Sequence, residues 1–136
     1  MRISLKTEYA LRAILELAKT EKDKPLSIRE ICDKQKLPFK FIEQLFRQLK
    51  QQNLIKSLQG SKGGYLLNGE LDEINLNHIM KALDDDYKAT PCNHDQKYCS
   101  GIDCTISHVM VKIQEDMEKY FNEFTLEKII NKKGVL

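Results

Sequence analysis

The sequence predicts a mainly α-helical chain with one small β-hairpin, and three observations carry that prediction. A short helix with a capping box is followed, after a tight turn, by a longer amphipathic helix opening at Pro38. The stretch LIKSLQGSKGGYLLN reads as two short strands around a glycine-rich tip. After Cys104, the residues Ile106, Met110, Ile113, Met117, Tyr120 and Phe124 recur in steps of four and three, with Val109 and Phe121 beside them. That is a heptad-like stripe on a helix of about 20 residues.

The elements follow from local signals. Leu5, Tyr9, Leu11, Ile14, Leu15, Leu17 and Ala18 recur near helical spacing, and the polar run KTEKDK with Pro25 ends the pattern, so a first helix covers about Leu5 to Lys19. Ser27-Ile28-Arg29-Glu30 has the S-x-x-E form, which starts a short second helix with Ile28, Ile31 and Cys32 inward. A turn spans Gln35 to Leu37. Pro38 fits the first turn of a third helix that buries Phe41, Ile42, Leu45, Phe46 and Leu49, presents Lys40, Glu43, Gln44, Arg47 and Gln48, and ends near Asn53.

Strands are expected over Ile55 to Leu58 and Gly64 to Leu67. Gly60, Gly63 and Gly64 permit positive backbone dihedrals in a tight exposed loop carrying Lys62. Ile74, Leu76, Ile79, Met80 and Leu83 mark another short helix, which stops at Asp84-Asp85-Asp86. Thr125-Leu126-Glu127 opens a last short helix through Ile129-Ile130, with Asn131 to Leu136 as a loose tail.

Short helix, tight turn, longer helix and hairpin is the order of a winged helix-turn-helix, in which the second helix of the pair enters the DNA major groove. The long C-terminal helix suits burial against its own copy, as a dimerisation helix in a two-fold homodimer that matches a pseudo-palindromic operator. The chain then divides into a DNA-binding domain over 1–86, a cysteine-rich loop over 87–104, and the dimerisation helix with its short successor over 105–136.

Composition fits this picture. A length of 136 residues suits one domain, and 41% hydrophobic with 31% charged residues argues against disorder. No apolar run approaches the roughly 20 residues that span a bilayer. MRISLKTEY has no apolar run behind its charges, so a cytoplasmic protein without membrane attachment is expected. The net charge of +2 does not by itself announce a polyanion partner. Its distribution does more. Lys34, Lys36, Lys40, Arg47, Lys50, Lys56 and Lys62 make the front half basic, while the aspartate run and Glu115 to Glu123 make the back half acidic.

PCNHDQKYCSGIDCTISH holds three of the four cysteines, spaced C-x6-C-x4-C. Clustered thiols in a reducing compartment point to metal or redox work rather than structural disulfides. The spacing lacks the paired C-x2-C elements of a structural zinc site, whereas soft thiolates at irregular loop spacing suit an iron-sulfur cluster. Three thiols leave one ligand position open. Cys32, on an apolar helix face, reads as a small core residue. A catalytic role is not expected, because no base is paired with these cysteines; a thiol or zinc sensor, or a protein-interaction module, remains the alternative.

MRISLKTEYALRAILELA, LPFKFIEQLFRQLKQQNLI, QGSKGGYLL, the three-cysteine loop and FTLEKI together resemble the Rrf2 family of bacterial transcription regulators, in its cysteine-bearing, iron-sulfur branch. The resemblance covers almost the whole chain. It implies a homodimeric winged helix-turn-helix regulator of double-stranded DNA that senses cluster status, redox state, nitric oxide or iron. Carried over by position, Cys92, Cys99 and Cys104 are the cluster ligands, with a 2Fe-2S cluster expected and 4Fe-4S as the alternative.

For DNA, the resemblance points to Phe39, Lys40, Glu43 and Gln44 on the recognition helix and to Ser61 and Lys62 in the wing. Gln44 suits an adenine edge and Glu43 a cytosine amine, while Lys40, Arg47 and Lys62 suit phosphates. Two departures stand out. The wing's usual Arg before its first Gly is Gln59 here. The ligating His expected at the third position after the last cysteine is replaced by Ser107, with His108 one step, about 100°, further round the helix. For the fourth ligand the resemblance points to Glu8, reaching from the partner subunit, ahead of His108, with the loop's His94 a weaker candidate and solvent, a small thiol or no ligand as the further alternatives.

Overall fold

The computed structural model describes residues 3–85 and 105–132. Cys92, His94, Cys99 and Cys104, with the loop predicted around them, lie outside the described residues, as does most of the predicted tail. The elements are α1 (Leu5–Lys19), α2 (Ile28–Gln35), α3 (Phe39–Gln51), β1 (Ile55–Leu58), β2 (Gly64–Leu67), α4 (Leu76–Ala82), α5 (Thr105–Asn122) and α6 (Leu126–Asn131). The fold is mainly helical with a single antiparallel hairpin among the described residues, as expected.

Helix starts follow the local chemistry. Ser4 caps α1 by accepting from the Thr7 amide. At α2 the predicted capping box is complete: the Ser27 hydroxyl accepts from the Glu30 amide at 3.2 Å and the Glu30 carboxylate accepts from the Ser27 amide at 2.8 Å. These hydrogen bonds, first that from the Ser27 backbone, hold the Glu30 carboxyl below its ordinary pKa. Ser27→Ala is expected to cost about 1 kcal/mol in thermal or denaturant unfolding, because only one half of the box survives it. Pro38 is placed one position earlier than expected. Its backbone is extended at ψ 118°, so it serves as the cap of α3 and contributes only its carbonyl, which accepts from Ile42 at 3.0 Å.

Ala10, Ala13, Ile14, Ile31, Ile42, Leu45, Phe46, Leu49 and Ile55 form the centre of the core where α1, α2 and α3 meet the hairpin. Cys32 is buried in this core, and burial, then the nearby Asp33 charge, raises its thiol pKa, so it stays protonated and inert. The hairpin pairs Ile55 with Leu67 and Leu58 with Gly64. Phe46 meets Tyr65 edge-on with ring centroids 5.1 Å apart.

The predicted stripe on α5 splits in two. Phe121 is buried with Leu76 and Met80 of α4, and Met117 and Phe124 pack against them. Asn77, also buried, donates to Asn122 at 2.8 Å, and Lys81 pairs with Glu118, so the C-terminal half of α5 is docked on α4. Ile106, Val109, Ile113 and Tyr120 are instead left exposed, Ile106 at 66% and Tyr120 at 58%. For Ile106, Val109 and Ile113 the reason is reach, since α4 is only 7 residues long and covers only one end of an 18-residue helix; Tyr120 lies within the covered end but off the face that Met117 and Phe121 turn to α4.

Candidate nucleic-acid interface

The outward face of α3 carries Lys40, Glu43, Gln44 and Arg47, all exposed, at steps of three, one and three. These residues share one side of the helix while Ile42, Leu45, Phe46 and Leu49 hold the other in the core. Phe39, the first residue of α3, stands 42% exposed at the same end. Ser61 and Lys62 occupy the exposed turn between β1 and β2. None of the side chains of Lys40, Glu43, Gln44, Arg47, Ser61 and Lys62 is hydrogen-bonded or ion-paired to another described residue, so their donors and acceptors are available to a partner.

The helix pair is held by polar contacts with no local sequence signal. Arg12 of α1 donates to the Gln35 carbonyl at 2.8 Å, satisfying a C-terminal carbonyl of α2 just before the turn. Gln35 in turn donates to Glu16. Lys36 closes α2 in the left-handed region at φ 55°, and Leu37 donates back to Cys32 at 3.1 Å. The turn that sets the angle between α2 and α3 is therefore anchored to α1.

The wing is anchored as well. Leu26 donates to the Tyr65 carbonyl at 3.1 Å and accepts from the Tyr65 amide at 2.7 Å, adding a one-residue bridge beside β2. This places the wing root directly against the start of α2. Between the start of α3 and the wing tip lies a cleft lined by Arg29, Phe39, Gln59, Gly60 and Gly63. In the sequence Arg29 is only a spacer within the capping box, and its one local signal is that of a cation in a helix's first turn.

The two candidate ligands among the described residues lie on different helices. Glu8 is exposed in the first turn of α1 and His108 is exposed on α5. Among the described residues no group of three or more His, Cys, Asp or Glu side chains is gathered to hold a metal ion. No helix among them is long and apolar enough to cross a membrane.

These features define a winged helix-turn-helix protein whose second helix and wing share one open surface. Residues 3–132 match the sequence model of the Rrf2 family, described as an iron-dependent transcriptional regulator. The chain belongs to this family. It is similar to the HTH-type transcriptional regulator IscR of Pectobacterium atrosepticum, with 31% identity over all of this chain and 83% of that protein. Among solved structures it is similar to CymR, the global cysteine regulator of B. subtilis, with TM-score 0.79, 26% identity and 98% of each chain covered. T. potens IscR superposes with TM-score 0.75 at 25% identity, covering 97% of this chain and 88% of that one. The chain is thus a DNA-binding transcription regulator and not an enzyme, as its relatives are.

Proposed function

We propose that the chain works in the cytoplasm as a homodimer on a pseudo-palindromic operator, and that it regulates transcription according to an iron-sulfur cluster held by Cys92, Cys99 and Cys104. One observation carries the proposal: three of the four cysteines fall in a single segment that leads directly into α5, whose near end exposes Ile106, Val109 and Ile113. The exposed residues lie at the three- and four-residue steps of a helix-pairing seam, which supports α5 as the dimer contact. Two copies would present two α3 helices, with Gln44 and Glu43 at base edges and Lys40, Arg47 and Lys62 at phosphates.

The donor chemistry fits the group. Three thiolates are soft ligands for iron, and Cys32, buried and held protonated, does not compete with them. When bound, such a cluster supplies a centre that changes charge and integrity with oxidants, nitric oxide or iron supply. Glu8 of the partner subunit is the proposed fourth ligand: its carboxylate has no hydrogen bond or ion pair with another described side chain and stands exposed on α1. His108 is the alternative.

The likeness to a cysteine regulator supports a second reading, a thiol sensor on the same fold that carries no cluster. Anaerobic purification with iron, sulfide and zinc analysis separates the two. Stoichiometric iron and sulfide with visible absorption, lost in Cys92→Ser, Cys99→Ser and Cys104→Ser, is the expected result. Colourless, iron-free protein from the same preparation would remove the cluster. Glu8→Ala is expected to shift the absorption spectrum, and an unchanged spectrum would move the fourth ligand elsewhere.

A further inference from the structure

We propose that Arg29 is an additional DNA-backbone contact, a phosphate-binding side chain that α2 supplies to the cleft between α3 and the wing. This rests on the assignment of α3 and the wing as the DNA-reading surface.

Arg29 is the second residue of α2 and is exposed. A cation there faces the positive end of the helix dipole, an unfavourable placement by about 0.3–1 kcal/mol. Nothing in the described fold compensates it. Arg29 has no hydrogen bond or ion pair with another described residue, and its neighbour Glu30 turns its carboxylate back onto the Ser27 amide at 2.8 Å. Its place is therefore not explained by stability of the helix.

Its surroundings explain it better. Arg29 lines the cleft together with Phe39 at the start of α3 and with Gln59, Gly60 and Gly63 of the wing. The Leu26–Tyr65 bridge fixes the start of α2 against the wing root, so Arg29 keeps a set position relative to both reading elements. Lys40 follows Phe39 on α3, and Lys62 sits at the wing tip, so three unpaired cations flank one surface. A guanidinium offers paired N–H donors that match a phosphate's oxygens, which a lone lysine cannot do. Gln59 lines the same cleft but is neutral; Arg29 returns a cation to it.

The test uses the full chain and a duplex enriched by the wild-type protein from a randomised pool. Affinity is measured across a salt series for wild type, Arg29→Gln, Lys62→Gln and the Arg29→Gln/Gln59→Arg double variant. Each lost phosphate contact lowers the slope of log affinity against log salt by about 1. Arg29→Gln is expected to lose that amount per contacting protomer, with a melting temperature equal to or above wild type because the helix dipole is relieved. The double variant is expected to recover the slope, since Gln59 shares the cleft. A wild-type slope in Arg29→Gln, beside a reduced slope in Lys62→Gln, overturns the proposal while leaving the reading surface intact. Loss of slope that Gln59→Arg does not recover overturns the assignment of the contact to the cleft. If no duplex is enriched, or if Lys62→Gln and Arg29→Gln both bind with the wild-type slope, the reading surface itself is wrong and Arg29 falls with it.

Discussion

Gly64→Ala is expected to lower the stability of the chain by about 3 kcal/mol and to remove most of its affinity for DNA. Gly64 opens β2 with φ +153°, where a side chain is rarely tolerated. A Cβ there would stand 2.6 Å from the Leu26 carbonyl carbon and oxygen and 3.0 Å from the Ser27 amide nitrogen. All three are backbone atoms and cannot rotate away. The dihedral alone costs about 1–3 kcal/mol, and forcing the two strands of backbone apart adds a comparable overpacking cost. The relief open to the protein is to break the Leu26–Tyr65 bridge, which frees the wing from the start of α2. Thermal unfolding at fixed protein concentration should show a midpoint lower by about 10 °C. DNA affinity should fall further than the loss of folded protein explains, because a detached wing no longer holds Lys62 in register with α3. Equal stability and affinity in Gly64→Ala would mean that the close approach to Leu26 does not organise the wing.

The same residues show what the sequence could and could not display. Helices and strands were legible because their signals are local: the Ser27–Glu30 box, the spacing of Ile42, Leu45, Phe46 and Leu49, and the glycine-rich hairpin tip all act within a few residues. The glycines themselves were read only as sources of loop freedom. Gly64 is instead required by an approach from Leu26, and Gly63 by the Leu58 carbonyl, 2.2 Å from where its Cβ would be. The stripe on α5 was legible as a period but not as a division, since which positions face α4 depends on where α4 ends. Contacts between distant segments were invisible for the same reason. The contact of Arg12 with Gln35, and the lining of one cleft by both Arg29 and Gln59, need the tertiary fold to bring distant segments together. The outward face of α3 was legible because the inward residues define it by elimination, whereas the DNA-contacting role proposed for Lys40, Glu43 and Gln44 rests on the family resemblance.

The aspartate run marks the end of α4 as the sequence predicts, but it does more than its local signal shows, and it sets the second large expected effect. In the sequence Asp84-Asp85-Asp86 is a helix stop. In the fold Asp85 reaches back to the start of α1, accepting from the Ser4 amide at 3.1 Å, from the Ser4 hydroxyl at 2.7 Å and from the Thr7 hydroxyl. Lys6 adds a bond to the Leu83 carbonyl at 2.5 Å. Asp85, which lies just ahead of the cysteine-bearing segment, is thus tied to the turn of α1 that carries Glu8. Thr7 is fully buried, so removing its acceptor leaves a hydroxyl that water cannot reach. Asp85→Ala is expected to cost about 2–4 kcal/mol, the sum of a lost charge-assisted network and an orphaned buried donor. Asp85→Asn keeps an acceptor and should cost about 1 kcal/mol.

A double-mutant cycle with Thr7→Val checks the assignment: a coupling of about 1–2 kcal/mol is expected for residues in one network. Additive effects would show that the clasp does not contribute. Acid supplies an independent readout. Partial burial alone would raise the Asp85 carboxyl, but the bonds from Thr7 and Ser4 outweigh it and hold its pKa below the ordinary aspartate value. A group lowered by folding contributes stability that is complete above its unfolded pKa, about 3.9 for aspartate, and is lost as pH falls through the lower folded value. The stability gap between wild type and Asp85→Asn should therefore be constant near neutral pH and narrow only below about pH 4. Amide exchange at Ser4 and Thr7 should accelerate in Asp85→Ala at neutral pH, well before the core amides of α3 respond, because those two amides belong to the clasped end of α1.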